Sequence, residues 1–130
     1  QAGQGALASK LKGNLTLVEI SELHCDILKK KGFTKVHQAD FLKWSDDAYT
    51  AGIAFDAIVM NPPFSQGRST MHLEAAIKLL KRNGTLVALV TYATARKIKA
   101  IGFHKEIEMV DASDFKGVSI ELAIVTLKGE

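Results

Sequence analysis

The residues with the clearest chemical use are Asn61-Pro62-Pro63-Phe64. Consecutive prolines fix two φ angles and remove two backbone donors. Proline at position 62 also pushes Asn61 towards an extended conformation. The result is a stiff turn in which the Asn61 side chain and the Pro62 carbonyl can point the same way. Both offer hydrogen-bond acceptors, and together they suit an amino group carrying two protons. Phe64 adds a flat face on which a planar base can stack. A plain loop between strand and helix could use Pro-Pro, but it would need neither Asn before nor Phe after. The chemistry these residues fit is reaction at an amino nitrogen.

Other candidates are weaker one by one. Glycines in Ala2-Gly3-Gln4-Gly5 let the backbone approach a ligand closely, and a following helix N-terminus favours negative charge. A tight turn with no ligand explains the same residues. Glu19 closes an apolar run, where an acid in a nucleotide-binding α/β fold accepts hydrogen bonds from ribose hydroxyls. A solvated strand end is the alternative. The Asp40 carboxylate could accept from the exocyclic amine of adenine while the Phe41 ring packs on the base, or Asp40 could simply cap a helix.

These residues must be held by a frame, and short β-rich runs alternating with helical segments supply one. Gly5–Lys12 reads as a helix and Leu15–Ile20 as a strand. Ser21–Lys31 reads as a helix capped by Ser21, with Leu23, Ile27 and Leu28 as its apolar stripe and Gly32 as its stop. Lys35–Gln38 is a short strand. Phe55–Met60 is a continuous apolar strand, expected to be buried on both faces. Thr70–Lys81 reads as a helix with Leu73, Ala76, Ile77 and Leu80 inward, closed by Asn83-Gly84. Thr85–Thr91 is another apolar strand, and Thr94–Ile101 reads as helical. Glu106–Val110 and Ser119–Leu127 form a closing pair of strands. The pattern is one α/β domain over residues 1–130, with a mostly parallel sheet and an antiparallel C-terminal hairpin. A Gly-rich loop needs an element before it, so a first strand upstream of Gln1 is expected. In such sheets ligands bind beyond the carboxyl ends of the strands, where Glu19, Asp40 and Asn61 fall in succession.

Composition narrows the setting. Hydrophobic residues at 47% and charged residues at 24% over 130 positions describe an ordinary globular protein. The longest apolar runs are too short to cross a bilayer. Cys25 is the one cysteine, which rules out an internal disulfide framework. With no secretory signal visible, a reducing cytoplasmic location is expected. The formal net charge of +3 permits a polyanionic partner without requiring one. Lys29-Lys30-Lys31, Lys81-Arg82 and Arg96-Lys97-Lys99 each sit near the end of a predicted helix, where cations complement the helix dipole.

Taken together, the residues resemble the amino-methyltransferase branch of the class I S-adenosylmethionine-dependent methyltransferases, over nearly the whole chain. Asn61–Phe64 is similar to the branch's catalytic Asn/Asp-Pro-Pro-Tyr/Phe motif, which makes Asn61, Pro62, Pro63 and Phe64 the implied catalytic residues. Ala2, Gly3 and Gly5 resemble the tail of its cofactor loop. Glu19 with Ile20 is similar to its ribose-binding segment, and Asp40 with Phe41 to its adenine-contacting pair. Leu79–Gly84 resembles its Leu-Lys-x-Gly-Gly turn. The resemblance implies a Rossmann-like fold, S-adenosylmethionine as cofactor, Asn61 contacting both cofactor and substrate, and no metal.

Within the branch, Asn61–Gly67 followed by His72 is most similar to DNA adenine-N6 methyltransferases, and Phe115-Lys116-Gly117 resembles a segment that helps hold a flipped base. His72 itself reads as a helix or interface residue. The implied reaction is methyl transfer to N6 of adenine in DNA, with the base flipped from the stack and stacked on Phe64 and Phe115. An RNA methyltransferase acting on guanine-N2 or adenine-N6 remains open, as does a non-catalytic methyltransferase-like binding domain. No target-recognition domain is visible. A nicotinamide dehydrogenase would need a third glycine and leaves Asn61–Phe64 without a role.

Overall fold

The structure is a computed structural model, which describes residues 16–19, 22–32, 34–62, 67–110 and 121–129. In chain order the elements are β1 (Thr16–Glu19), α1 (Glu22–Lys30), β2 (Lys35–Gln38), α2 (Phe41–Thr50), β3 (Phe55–Met60), α3 (Arg68–Lys78), β4 (Leu80–Thr91), α4 (Tyr92–Lys97), β5 (Phe103–Met109) and β6 (Leu122–Gly129). The alternation is that of an α/β fold. The expected helix over Gly5–Lys12 and the Ser21 cap lie outside the described residues.

Parallel pairs join β1 to β2 and β3 to β4. Antiparallel β6 then runs between β4 and β5, giving the order β3-β4-β6-β5. The C-terminal hairpin is therefore present, with its last strand inside the sheet and β5 at the edge. Among the described residues no strand joins β1 to β3. The two sheets meet instead through α2, whose Trp44 ring lies 5.7 Å from His37 of β2 and 6.2 Å from Phe55 of β3. Among the described residues no helix is long and apolar enough to cross a membrane.

The core lies between the four-stranded sheet and helices α3 and α4. Leu86, Ala88 and Val90 of β4, Val125 and Leu127 of β6, Leu73 and Ala76 of α3, and Ala95 of α4 are all buried in it. Alternate positions of β4 from Gly84 to Val90 face inward, as the two-residue period of a strand requires. Leu73 and Ala76 are three apart on α3, so both fall on its inner face.

Four expectations are corrected. Helix α3 stops at Lys78, because Phe55 N–H donates to the Leu79 carbonyl at 2.7 Å and Leu80 already pairs with Phe55. Leu80 thus belongs to a strand, and so do Lys81 and Arg82. Lys81 bridges to Asp56 at 3.3 Å and complements no helix end. Strand β3 is buried on one face only: Met60 is buried and Ile58 half-buried, while Val59 is 39% exposed. The face that is covered is the one packed into the cluster with α3 and α4. Helix α4 starts early, because the Thr91 hydroxyl accepts from Thr94 N–H, and it ends at Lys97 where Ile98 turns extended. The fourth is α2 over Phe41–Thr50, a helix implied only by the alternative in which Asp40 acts as a cap.

Gly84 stands where β4 shifts register against β3, between the pairs Phe55–Leu80 and Ala57–Thr85. A Cβ there would lie 2.9 Å from the Asp56 carbonyl oxygen and 2.8 Å from Leu80 Cδ1. Glycine permits the close approach of the two backbones. Gly84→Val is expected to destabilise the fold by about 1–3 kcal/mol. The check is a lower urea midpoint with an unchanged denaturant slope.

Candidate active site

The candidate residues follow the carboxyl ends of β1 and β2, which are parallel to each other, and of β3. Glu19 closes β1 and pairs in register with Gln38, the last residue of β2. Asp40 follows two residues on. Asn61 comes directly after Met60, the last residue of β3. The structure thus keeps each of these residues at a strand's carboxyl end, where the sequence pattern put it. Ala2, Gly3, Gly5, Ile20, Pro63, Phe64 and Phe115 lie outside the described residues.

Asp40 is exposed and extended, and it caps α2: its Oδ1 accepts from Leu42 N–H at 2.9 Å. This satisfies one of the orphan donors at the helix start. Capping and ligand contact are compatible, because a carboxylate has further lone pairs to offer. The Phe41 ring is half-buried and packs against His72 of α3 at 5.5 Å and Trp44 at 6.4 Å. Phe41 therefore links the site to the core.

Asn61 and Pro62 divide the work between them. Pro62 is fully buried, which anchors the turn, while Asn61 is exposed. Among the described residues no hydrogen bond engages the Asn61 side chain. Its amide is free to meet an incoming group.

The chain re-enters regular structure at Gly67, whose φ of +69° is left-handed and suits glycine. From there Ser69, 2% exposed, reaches across to α4, its Oγ lying 3.2 Å from Thr94 Oγ1. Thr91 Oγ1 continues the chain, donating to Thr94 Oγ1 at 3.0 Å. These hydroxyls fasten the start of α3 to the start of α4, next to the site. Sequence reasoning missed them. The available signal was the Ser/Thr content of the two helix starts.

His72, 5% exposed, sits one turn further along α3. Burial above all, with the positive charge of Arg68, holds its pKa below the ordinary value of 6.5, against the opposing pull of Asp40. A histidine of depressed pKa stays neutral in the folded chain while the unfolded chain takes up a proton. The stability this represents is therefore present above pH 6.5 and is lost as pH falls through the lowered folded value. His72→Gln, neutral throughout, should flatten the decline in urea midpoint below that pH. An equally steep decline in the variant would place the acid sensitivity elsewhere.

A family model described as the methyltransferase small domain matches residues 2–116. No curated protein matches the chain. Among solved structures, an rRNA methylase from Streptococcus thermophilus superposes with a TM-score of 0.68 at 10% identity, covering 99% of this chain and 82% of that one. The 23S rRNA methyltransferase ErmE gives 0.69 at 22% identity, covering 99% and 59%. TrmN from Thermus thermophilus gives 0.71 at 17% identity, covering 100% and 42%. At such identities the superpositions speak for the fold.

Proposed function

Because the chain belongs to the methyltransferase small-domain family, with S-adenosylmethionine as its cofactor, we propose that it methylates the exocyclic amino nitrogen of a base in RNA. The observation that carries the reading is Asn61: exposed, without a hydrogen-bond partner among the described residues, and set on a buried proline at the carboxyl end of β3.

The donor set fits the cofactor. Glu19 and Asp40 place carboxylate residues at adjacent strand ends, suited to ribose hydroxyls and to the adenine amine. When bound, S-adenosylmethionine supplies an electrophilic methyl group on a sulfonium. The rest falls to the chain. The Asn61 side-chain oxygen and the Pro62 carbonyl would accept hydrogen bonds from the two N–H groups of the substrate amine. An amino nitrogen on a base has its lone pair spread into the ring, and holding both protons out of plane draws that pair back onto nitrogen. Buried Pro62 keeps the acceptors from moving as charge develops, so positioning and fixed dipoles supply the rate. Phe64 and Phe115 would stack the base.

RNA is favoured over DNA because two of the similar solved structures carry ribosomal RNA in their names. Adenine-N6 methylation of DNA, which the sequence resemblance puts first, stands as the second reading on the strength of Asn61–Gly67. Methyl incorporation from tritiated cofactor into ribosomal RNA and into plasmid DNA separates them. Label recovered in an N-methylated nucleoside of RNA is expected. Label in DNA alone would move the reading to its alternative, and label in neither would overturn both.

A further inference from the structure

We propose that the outer side of α4 and the segment leading from it to β5, bearing Tyr92, Arg96, Lys97 and Lys99, is the surface along which the RNA backbone lies. The inference rests on the RNA reading above and adds to it where the strand is held.

Topology sets the place. Strands β3 and β4 are parallel with Met60 opposite Ala88, so Asn61 and Tyr92 leave the sheet at the same end. Helix α4 begins at that end and leads away from it towards β5, which starts at the opposite end of the sheet, where Phe103 pairs with Gly129. A strand presenting a base to Asn61 would meet this segment next.

The segment is polarised. Ala95 and Ile98 are buried at 0% and 4% exposure, which turns Arg96, Lys97 and Lys99 outward to solvent. None of the three forms an ion pair among the described residues. The ordinary reason for cations at a helix end is the helix's unpaired carbonyls. That reason is already met here by another residue. Lys105 Nζ, reaching over from β5, donates to the carbonyls of Ala95, Arg96 and Ile98 at 2.9, 3.0 and 3.0 Å. The three outer cations are thus surplus to the helix.

The other basic clusters differ. Lys29 and Lys30 occupy the last turn of α1, and Lys81 bridges to Asp56.

Arg96 is also held in a useful posture. Its guanidinium lies 5.7 Å from the centre of the half-buried Tyr92 ring. Stacking on the ring fixes the plane of the fork and leaves its edge for a phosphate, which arginine can grip through two parallel bonds. Lys97 and Lys99 follow as point charges. Exposed cations of this kind add little to fold stability, whereas phosphates give them counterion release.

The test uses a short fluorescein-labelled single-stranded RNA of mixed sequence, its binding followed by anisotropy across a salt series, with wild type and the triple variant R96S/K97S/K99S. Three lost phosphate contacts should reduce the slope of log affinity against log salt by about 2 and weaken low-salt binding about tenfold or more. Calorimetric binding of S-adenosylmethionine should not change. Should the triple variant lose cofactor binding as well, the single Lys99→Glu, beyond the end of α4, carries the test with a smaller loss of slope. An unchanged slope in a variant that still methylates RNA overturns the surface and leaves the function standing. Wild type that methylates no RNA overturns the function by a separate readout. Slope loss seen with duplex DNA and not with RNA overturns the choice of partner.

Discussion

Asn61→Ala is expected to lower methyl transfer about a hundred- to a thousandfold, the usual loss when one preorganised polar group is removed from a reacting centre. Cofactor affinity should change by no more than about tenfold, the equivalent of one hydrogen bond. The asymmetry comes from geometry. Asn61 is exposed at the end of β3, and Pro62 behind it is buried. Removing the amide deletes an acceptor without opening the core. The substrate amine would keep the Pro62 carbonyl and lose its second acceptor. Asn61→Asp, which keeps an acceptor oxygen in place, should recover part of the loss. The readout is kcat with RNA as substrate beside calorimetric titration of S-adenosylmethionine. Equal losses in turnover and in cofactor binding would recast Asn61 as a cofactor-binding residue alone.

Leu86→Ala is expected to cost about 2–5 kcal/mol, through lost transfer energy and the cavity left behind. Leu86 is fully buried, pairs across the ladder with fully buried Leu127, and lies in one cluster with Leu73 and Ala76 of α3. All sit on elements with little freedom to collapse inward, so the cavity should persist. Against the roughly 5–15 kcal/mol by which domains are stable, that loss removes a large share. Leu23, 67% exposed on α1, is the control: Leu23→Ala should shift stability within about 0.5 kcal/mol either way. Urea unfolding of the two variants side by side checks both.

Much of the frame was legible because burial writes itself into periodicity. Phe55–Met60 and the core positions Leu73 and Ala76 could be read from apolar spacing alone. Helix α2 could not. Ser45-Asp46-Asp47 interrupts its apolar face with residues typical of loops, and what holds it is tertiary: Trp44 between β2 and β3, while buried Ser45 satisfies its hydroxyl within the helix on the Leu42 carbonyl at 2.8 Å. The true end of α3 was hidden for a related reason, since Leu80 suits either a helix face or a strand until Phe55 is known to pair with it. At the site, Asn61 was legible because consecutive prolines restrict the backbone whatever surrounds them. The Ser69–Thr94–Thr91 chain was not, because it joins residues 25 apart through hydroxyls that carry no periodic signal. The basic run at 96–99 was legible as charge at a helix end, where Arg96 and Lys97 indeed fall. Only the position of the Lys105 ammonium separates a helix-capping cation from a surplus one.

The aromatic junction on α2 has a practical side. Trp44 is the chain's one tryptophan, and it stands between a ring of β2 and a ring of β3. Indole emission depends on its surroundings, so the intrinsic fluorescence of the unlabelled protein reports how the two sheets sit against each other. Any ligand that draws Glu19 and Asn61 towards a common molecule pulls on both sides of that ring. The molecule carries its own optical gauge at the junction of α2 with β2 and β3.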